Sequence, residues 1–586
     1  MLQLALTILI CLIIVIPVGR YMYHIAAGKH TFADPVFNRV DGVIYKIGGV
    51  NPEKGMNWRQ YVLALVGTNA VMVFIGYLLL RIQSIPFFNP NGIGGMEPTL
   101  SFNTIISFMT NTNLQHYSGE SGLSYLSQML VIIFMMFASA ATGYAACVAF
   151  IRGLAGKSKD NVGNFFADLV RITTRILIPF SVVGGMLLVW QGVPQNFDSN
   201  VVVKTLEGTF QIIAMGPIAA LEIIKHLGTN GGGFLGANSS TPLENPTMLS
   251  NLIEMYSMML LPGACVITFG KMVGDSRKER MQNAAPDNAL PAAREGLTTR
   301  IFGREGRSIF AAMGILFLVG LSLCFWAESQ GNPLLADIGL NQSAGSMEGK
   351  EVRFGIAQSA MFTTVTTAFT TGTVNNMHDT LTPLGGMVPL LNMMLNVVFG
   401  GKGVGLMNMI MYAILAVFIC GLMVGRTPEY LGKKVEGREM KLTALCIIIH
   451  PFLILAFSAL AVATKAGIEG ITNPGFHGLS QVLYEYASSA ANNGSGFEGL
   501  ADNTYFWNMT AGLAMFFGRY LSIVIQMAIA GSLMKKNHVN ESAGTLQTNT
   551  FSFAVILVFV VYIFAALTFF PALDLGPIAE HLTIWG

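Results

Sequence analysis

The segment Gly228-Thr-Asn-Gly-Gly-Gly233 decides the fold, because this polar, glycine-rich run lies between a short apolar stretch and an apolar segment of membrane-spanning length. Three further segments have the same surroundings: Thr110-Asn-Thr-Asn113, Thr370-Thr-Gly-Thr373 and Asn492-Asn-Gly-Ser495. Irregular backbone at membrane depth is tolerated only where it is buried or lines a water-filled path. Four such segments in one chain therefore predict re-entrant loops that converge on a shared axis.

The short apolar stretches before these loops are predicted pore helices, at about residues 102–109, 213–221, 356–365 and 482–486. They are too short to span a bilayer, and their partially negative C-terminal ends would face the axis and favour a cation. None of the four loops contains Lys or Arg, which argues against an anion filter. With Thr112, Gly231, Gly372 and Gly494 as equivalent positions, the loops indicate a fourfold internal repeat.

The composition requires a lipid environment for much of the surface. Of the 586 residues, 52% are hydrophobic and 11% charged, and the mean hydropathy is +0.56; soluble domains carry about 25% charged residues. We expect ten spans near residues 2–22, 60–80, 124–151, 176–193, 248–270, 309–327, 384–425, 442–464, 506–534 and 551–573. The seventh is about twice the usual length, and we interpret it as one span broken at Phe399-Gly-Gly-Lys-Gly-Val-Gly405.

These features predict an all-α polytopic membrane protein of the K⁺ channel-like class, with four helix–pore loop–helix repeats and one extra helix at each end. The expected units are a first helix and loop (1–59), repeat 1 (60–175), repeat 2 (176–308), repeat 3 (309–441), repeat 4 (442–550) and a last helix (551–586).

The distribution of basic residues predicts the orientation. The loops after the odd-numbered spans hold 26 of the 34 Lys and Arg residues, and the opposite side holds six. The positive-inside rule places those basic loops in the cytoplasm and both termini outside. Glu254 lies within the fifth span, and we expect it near the outer interface.

Backbone carbonyls from four converging loops can replace the hydration shell of K⁺, and glycine allows the positive φ angles that turn carbonyls toward an axis. For any single loop an ordinary Gly/Asn turn is the simpler interpretation, but four equivalent placements favour a filter. The only metal expected is K⁺ at this filter, with no organic cofactor. The predicted filter residues are Asn111, Thr112, Asn113, Thr229, Asn230, Gly231, Thr370, Thr371, Gly372, Asn492, Asn493 and Gly494.

Further residues are expected to support or close the pore. Gln115 and Gly232 would support the filter or its mouth, and a purely structural hydrogen bond is the alternative for Gln115. Lys402 and Arg519 are basic residues inside spans. A fixed positive charge below the filter would prevent leak; pairing with helix-end carbonyls, or snorkelling, is the alternative.

Other chemistries find little support in the sequence. The six cysteines and nine histidines show no spacing typical of metal ligands or disulfides. The chain has neither the Asp-Lys-Thr-Gly motif of P-type ATPases nor a P-loop, so it is not expected to hydrolyse ATP. Nothing indicates nucleic-acid binding.

Several longer sequence motifs carry a family resemblance. They are Thr110-Asn-Thr-Asn-Leu-Gln-His-Tyr-Ser-Gly-Glu120, Gly228-Thr-Asn-Gly-Gly-Gly-Phe234, Asn375-Asn-Met-His-Asp379, Ser488-Ser-Ala-Ala-Asn-Asn-Gly-Ser495 and Gly425-Arg-Thr-Pro-Glu-Tyr-Leu-Gly-Lys-Lys434. Together they resemble the potassium-binding A subunits of the Kdp-type K⁺-transporting ATPases of bacteria, over essentially the whole chain.

The resemblance implies a K⁺-binding protein of the bacterial cytoplasmic membrane that works with a catalytic P-type ATPase (B) subunit and with the accessory C and F subunits. It also implies that the broken seventh span, with Gly400, Gly401, Lys402 and Gly403, forms a barrier below the filter. A stand-alone K⁺ channel or ion-coupled K⁺ transporter with the same repeat remains an alternative, because the filter chemistry is shared. An intramembrane enzyme ranks last, since the spans contain no constellation of acid, base and nucleophile.

Overall fold

A computed structural model describes residues 2–156, 158, 160–284, 296–539 and 545–586, with only the helical backbone for 280–284. Within these residues, ten helical segments are long and apolar enough to cross a membrane. This confirms the predicted all-α class with ten spans. Parts of the loops expected between the fifth and sixth spans (271–308) and between the ninth and tenth spans (535–550) lie outside the described residues.

Each of the four repeats consists of a first spanning helix, a short pore helix and a second spanning helix. The first helices are Trp58–Arg81, Phe165–Trp190, Gly306–Ser329 and Gly437–Ala463. The pore helices are Pro98–Met109, Ile218–Leu227, Gly355–Ala368 and Phe476–Ala491. The second helices are Tyr125–Ala155, Met248–Ala284, the broken pair Pro383–Leu395 and Val404–Met423, and Tyr505–Lys535.

The remaining elements flank the repeats. Helices Leu2–Ala26 and Phe551–Leu573 are the extra spans, and Asp34–Gly48 and Leu297–Phe302 are short helices between spans. The short helices Gly119–Gly122, Pro333–Asp337 and Lys465–Ile468 lie on the side of the molecule that carries the pore helices, here called the filter side. Ala579–Trp585 follows the last span after a kink at Gly576. Two hairpins pair Val201–Lys204 with Phe210–Ile213, and Glu429–Tyr430 with Lys433–Lys434.

The second pore helix begins five residues later than the sequence pattern predicts. Residues 210–213 form a strand, and Gly216 has a φ of 143°, which a helix cannot contain. Pro217 then precedes the first helical residue, Ile218. The apolar residues at 213 and 215 imitate the start of a helix, and the Gly-Pro pair that follows them prevents it.

The first span packs closely against the second helix of repeat 2 through small residues. A Cβ atom on Gly263 would lie 2.9 Å from Val15 Cγ1, and one on Gly19 would lie 2.7 Å from Ile267 Cδ1. Small residues allow helices to approach closely where lipid, rather than water, is the solvent. The extra N-terminal span is thereby joined to the repeat that supplies the second filter loop.

Candidate functional site

All four pore helices end with the same backbone motif. The residue after each helix, or the next one, has a positive φ: 62° at Asn111, 50° at Thr229, 49° at Thr370 and 56° at Asn492. The N–H of the following residue donates to the carbonyl five residues earlier, at 2.8–2.9 Å in each case. This is the Schellman arrangement, which usually places glycine at the left-handed position. The four predicted loops are therefore structurally equivalent.

The shared motif corrects the alignment of the first loop by one residue. Thr112 aligns with Asn230, Thr371 and Asn493, so Asn113 is the counterpart of Gly231, Gly372 and Gly494. Asn113 has a φ of 59°, a conformation that asparagine adopts more readily than most residues. The sequence analysis aligned Thr112 with the three glycines because the first loop contains no glycine to mark the equivalent position.

Left-handed conformations recur along the loops. Gly372 and Gly494 have φ values of 100° and 110°, whereas in the second loop the next left-handed residue is Gly232, at 73°. Alternation of left-handed residues with others turns successive carbonyl groups toward the same side of the chain. A β-branched residue with positive φ is a conformational outlier, so Thr229 and Thr370 hold strained backbone of a kind that clusters at functional sites.

The four loops meet around one line. A Cβ atom on Gly231 would lie 2.6 Å from Thr112 O and 2.8 Å from Asn493 O. A Cβ atom on Gly372 would lie 2.8 Å from Gly494 Cα. A Cβ atom on Gly494 would lie 2.8 Å from Gly231 Cα. Backbone atoms of all four loops therefore approach each other so closely that a side chain at these glycines would displace them.

Asparagine side chains brace the loops against one another. Asn111 Nδ2 donates to Thr229 O at 2.8 Å, and Asn230 Nδ2 donates to Asn111 Oδ1 at 3.0 Å. Asn492 Nδ2 donates to Thr112 Oγ1 at 3.0 Å. These amides therefore position the neighbouring backbone. The side chain of Asn113, by contrast, has no hydrogen-bond partner among the described residues.

Gln115 clamps the first loop to the second. Its Oε1 accepts a hydrogen bond from Gly233 N at 2.7 Å, and its Nε2 donates to Gly233 O at 3.1 Å. A Cβ atom on Gly232 would lie 2.7 Å from Asn113 O and 2.8 Å from Gln115 Oε1. Gln115 thus has the structural bond that sequence reasoning left as one of two alternatives, and Gly232 makes room for the clamp.

The break in the seventh span lies directly against the filter loops. The helix ends at Leu395 and resumes at Val404, and the intervening backbone has positive φ at Phe399, Gly400, Lys402 and Gly403. A Cβ atom on Gly401 would lie 2.7 Å from both Thr370 O and Thr229 Cβ. Gly401 therefore contacts the second and third loops.

Lys402 contacts the other two loops. Its Nζ donates to Asn111 O at 2.8 Å and to Asn492 O at 2.6 Å, and the side chain is fully buried. Asn111 and Asn492 are the left-handed residues that terminate their pore helices, so the amine lies at the helix end of both loops. Gly401 and Lys402 together form a floor beneath all four loops.

Arg519 lies beside Lys402 in the second helix of repeat 4. A Cβ atom on Gly143 would lie 2.6 Å from Arg519 Nη2 and 2.7 Å from Lys402 Cβ, so both side chains meet at this glycine. Neither terminal nitrogen of Arg519 has a hydrogen-bond partner within the described part of the chain. Arg519 also lines a narrow cavity of about 30 Å³ below the fourth loop, together with Asn408, His450 and Gln526.

On the filter side the loops open into a cavity of about 290 Å³ with acidic residues in its wall. His116 is buried there between Glu485 at 3.2 Å and Asp502 at 3.8 Å, and its Nδ1 lies 2.8 Å from Asn508 Oδ1. Burial disfavours the charged imidazole, but the two carboxylates outweigh it and raise the pKa of His116 to about 9. Sequence reasoning missed this group, because its members are far apart in the chain.

Comparisons with known proteins give consistent results. A family profile described as the potassium-transporting ATPase A subunit matches residues 5–582. Similarity over nearly the full length is found with proteins named potassium-transporting ATPase potassium-binding subunit. The one from Clostridium acetobutylicum is 56% identical over 100% of both chains, and that from Geobacillus kaustophilus is 53% identical over 99% of both.

A third relative of the same name, from Caldanaerobacter subterraneus, is 51% identical over 97% of this chain and 96% of its own. Among solved structures, the potassium transporter TrkH from Vibrio parahaemolyticus matches with a TM-score of 0.49 and 14% identity. The match covers 78% of this chain and 83% of that one.

Proposed function

The chain belongs to the potassium-transporting ATPase A subunit family, and from this premise we propose that it binds K⁺ in the four-loop filter and passes it inward. It serves as the K⁺-binding, non-catalytic subunit of an ATP-driven uptake pump. The observation that carries the proposal is the meeting of four equivalent Schellman-terminated loops around one line.

The chemistry of the loops suits a monovalent cation without a strong preference for nitrogen or sulfur ligands. Converging backbone carbonyls replace the hydration shell of K⁺. The pore helices end at the loops, so their partially negative termini favour a cation there. The proposed filter residues remain the twelve predicted ones, with backbone oxygens as the main ligands.

The floor formed by Gly401 and Lys402 explains why such a filter would not leak. Lys402 Nζ occupies hydrogen-bonding positions at two carbonyls at the helix ends of the loops, which are the oxygens that an ion leaving the filter would use. An ammonium group at that level competes with K⁺ and repels it. Arg519 adds a second positive charge just beyond it. Movement of K⁺ past this point would then need a change in the floor, which energy from a partner could drive.

The proposed setting is the bacterial cytoplasmic membrane, with both termini and the filter side outside. Basic residues concentrated on the opposite side support this orientation. The proposed partners are the catalytic B subunit of the pump and its accessory C and F subunits. Acidic residues around the cavity above the filter would gather cations at its mouth.

The proposal is tested by purifying the tagged chain gently from its native membranes and measuring ATP hydrolysis with and without K⁺. We expect K⁺-stimulated hydrolysis that accompanies a larger co-purifying subunit, and none from this chain alone. If the chain purifies alone and conducts K⁺ in liposomes without ATP, it is a channel or ion-coupled transporter and the coupling to ATP is wrong.

A further inference from the structure

A cluster of five ionisable side chains lies between the second pore helix and the span that follows its loop. Glu222, Lys225 and His226 come from the last turns of that helix, Glu244 from the segment after its loop, and Glu254 from the following span. All five are fully buried. The second pore helix covers Glu254, and its expected position near the outer interface stays a prediction.

The charges in this cluster do not balance. Lys225 Nζ lies 2.7 Å from Glu222 Oε2 and 3.0 Å from Glu244 Oε2, so one cation serves two carboxylates. Glu254 adds a third carboxylate. With three negative charges and one positive charge, the fully ionised cluster has a net charge of −2 in a site closed to bulk solvent. Buried charges are paired, bind a metal or are removed by protonation.

His226, as a neutral ring, adds no positive charge to the cluster. Its Nδ1 lies 2.6 Å from Glu222 O, and since a carbonyl can only accept, Nδ1 carries the proton. In the neutral ring, Nε2 then presents a lone pair, and this lone pair faces Glu254 Oε2 at 3.4 Å. Two acceptors that face each other repel unless a proton or a metal cation lies between them.

Four atoms are left without partners in this space. Glu222 Oε1, His226 Nε2 and both carboxylate oxygens of Glu254 have no hydrogen bond among the described residues. One ligand atom from each of these three residues lies within 4.8 Å of the other two. The three side chains therefore present ligand atoms to one common space.

We propose that Glu222, His226 and Glu254 bind a divalent zinc-like metal ion. Zinc lies about 2.0–2.1 Å from nitrogen and carboxylate oxygen in tetrahedral sites, which places neighbouring ligand atoms about 3.4 Å apart, as His226 Nε2 and Glu254 Oε2 are. A histidine that binds a metal typically donates its other N–H to a carbonyl or carboxylate, as His226 does. A divalent ion also brings the cluster to neutrality.

The site would hold the second filter loop in place. His226 O accepts the N–H of Thr229, the first left-handed residue of that loop, at 3.2 Å. Ser239, which lies 3.4 Å from Glu222 Oε2, is also 3.1 Å from Thr373 Oγ1 in the third loop. The ion would therefore tie the end of the pore helix to the following span, beside two filter loops. This role is independent of the proposed transport function.

The test is metal analysis of the complex purified from native membranes without chelators. We expect about one zinc ion per chain, resistant to dialysis, and loss of most of it in His226→Gln and Glu254→Gln. His378→Gln is the matched control, because His378 is equally buried but bonds Tyr484 instead, and it should keep the metal. Wild-type protein without a stoichiometric metal, or variants that keep it, would overturn the proposal.

X-ray absorption at the zinc edge of the wild-type complex does not depend on whether the variants fold. We expect one nitrogen and at least two oxygen ligands at about 2.0–2.1 Å. A sulfur ligand would place the ion elsewhere in the complex and contradict the assignment. If zinc is absent and Glu254→Gln has the thermal stability of the wild type, a proton occupies the site. That result would also contradict the proposed metal site.

Discussion

In the four filter loops every residue at the axis is neutral and the proposed ligands are backbone carbonyls, whereas the floor beneath them carries the basic side chains Lys402 and Arg519. The loops are fixed by hydrogen bonds between neighbouring loops, and Lys402 is fixed by hydrogen bonds to the filter itself. Under the proposed function, ion binding and blocking of the pore therefore belong to different residues. Changes in the loops should alter affinity, and changes in the floor should alter leak.

Removal of the charge of Lys402 should have the largest effect. In Lys402→Met we expect passive K⁺ flux through liposomes without ATP to rise roughly a hundredfold or more, because two unit charges 4 Å apart repel by about 4 kcal/mol at an effective dielectric constant of about 20. Lys465→Met is the control, since that lysine is exposed on the filter side. Unchanged flux in Lys402→Met would show that the floor does not depend on its charge.

Substitution of a filter glycine should weaken binding without opening the floor. A Cβ on Gly494 would contact Thr112 O and lie 2.8 Å from Gly231 Cα, at a φ of 110°. We expect Gly494→Ala to lower K⁺ affinity roughly tenfold to a hundredfold, from strain of about 1–3 kcal/mol, measured by K⁺-stimulated ATP hydrolysis.

The control for this glycine is Gly496→Ala, two residues along the same loop, where an added Cβ would meet nothing within 4 Å. It should behave as wild type. Equal affinities of the two variants would contradict the close approach of the loops.

Arg519 should contribute less to the barrier than Lys402, because it donates no hydrogen bond to the filter carbonyls within the residues described. We expect Arg519→Gln to raise passive flux about tenfold, corresponding to about 1.4 kcal/mol, in the same liposome assay. If passive flux through Arg519→Gln exceeds that through Lys402→Met, Arg519 is the larger part of the barrier and the ranking of the two residues is wrong.

Loss of the Gln115 clamp should have a moderate effect on affinity. Gln115→Ala leaves the N–H and C=O of Gly233 without their partner, and we expect K⁺ affinity to fall about fivefold for a loss of about 1 kcal/mol. The exposed Gln330 supplies a control in Gln330→Ala. An unaltered affinity in Gln115→Ala would mean that the loop keeps its position without the clamp.

The smallest expected effect is on the pH dependence of thermal stability, through His116 at the filter mouth. The carboxylates raise the pKa of His116 from 6.5 to about 9, so the stability that its charge contributes is complete below pH 6.5 and declines as the pH rises through 9. Thermal unfolding of the purified complex should shift to lower temperature between pH 7 and 10, and His116→Gln should show a smaller shift. Identical pH dependence in both proteins would exclude this ion pair as the cause.

The sequence predicts the repeat and the loops well, because runs of glycine, asparagine and threonine are rare at membrane depth unless they line a pore or a buried turn. It predicts the alignment of Asn113 poorly, since asparagine takes the left-handed position that glycine marks elsewhere. The start of the second pore helix at Ile218 was missed because apolar residues in a strand and in a helix look alike over a few positions. The broken span was predicted from its glycines.

Contacts between distant repeats could not be predicted from the sequence. The hydrogen bonds of Lys402 to Asn111 and Asn492 join segments 291 and 90 residues away, respectively, and no local pattern encodes such a pairing. The cluster at His226 had one local signal, since Glu222 and His226 are spaced i, i+4 and so share a helix face. Glu254, on the next span, completes the group only in the folded chain.

The central claim, that four equivalent loops form a cation site closed by Lys402, is tested most directly by locating Rb⁺ in crystals through its anomalous scattering. We expect density on the line between the four loops, on the side of Lys402 that faces the filter, among Thr112, Asn230, Thr371 and Asn493. Density only in the cavity beside Arg519, or none between the loops, would contradict it.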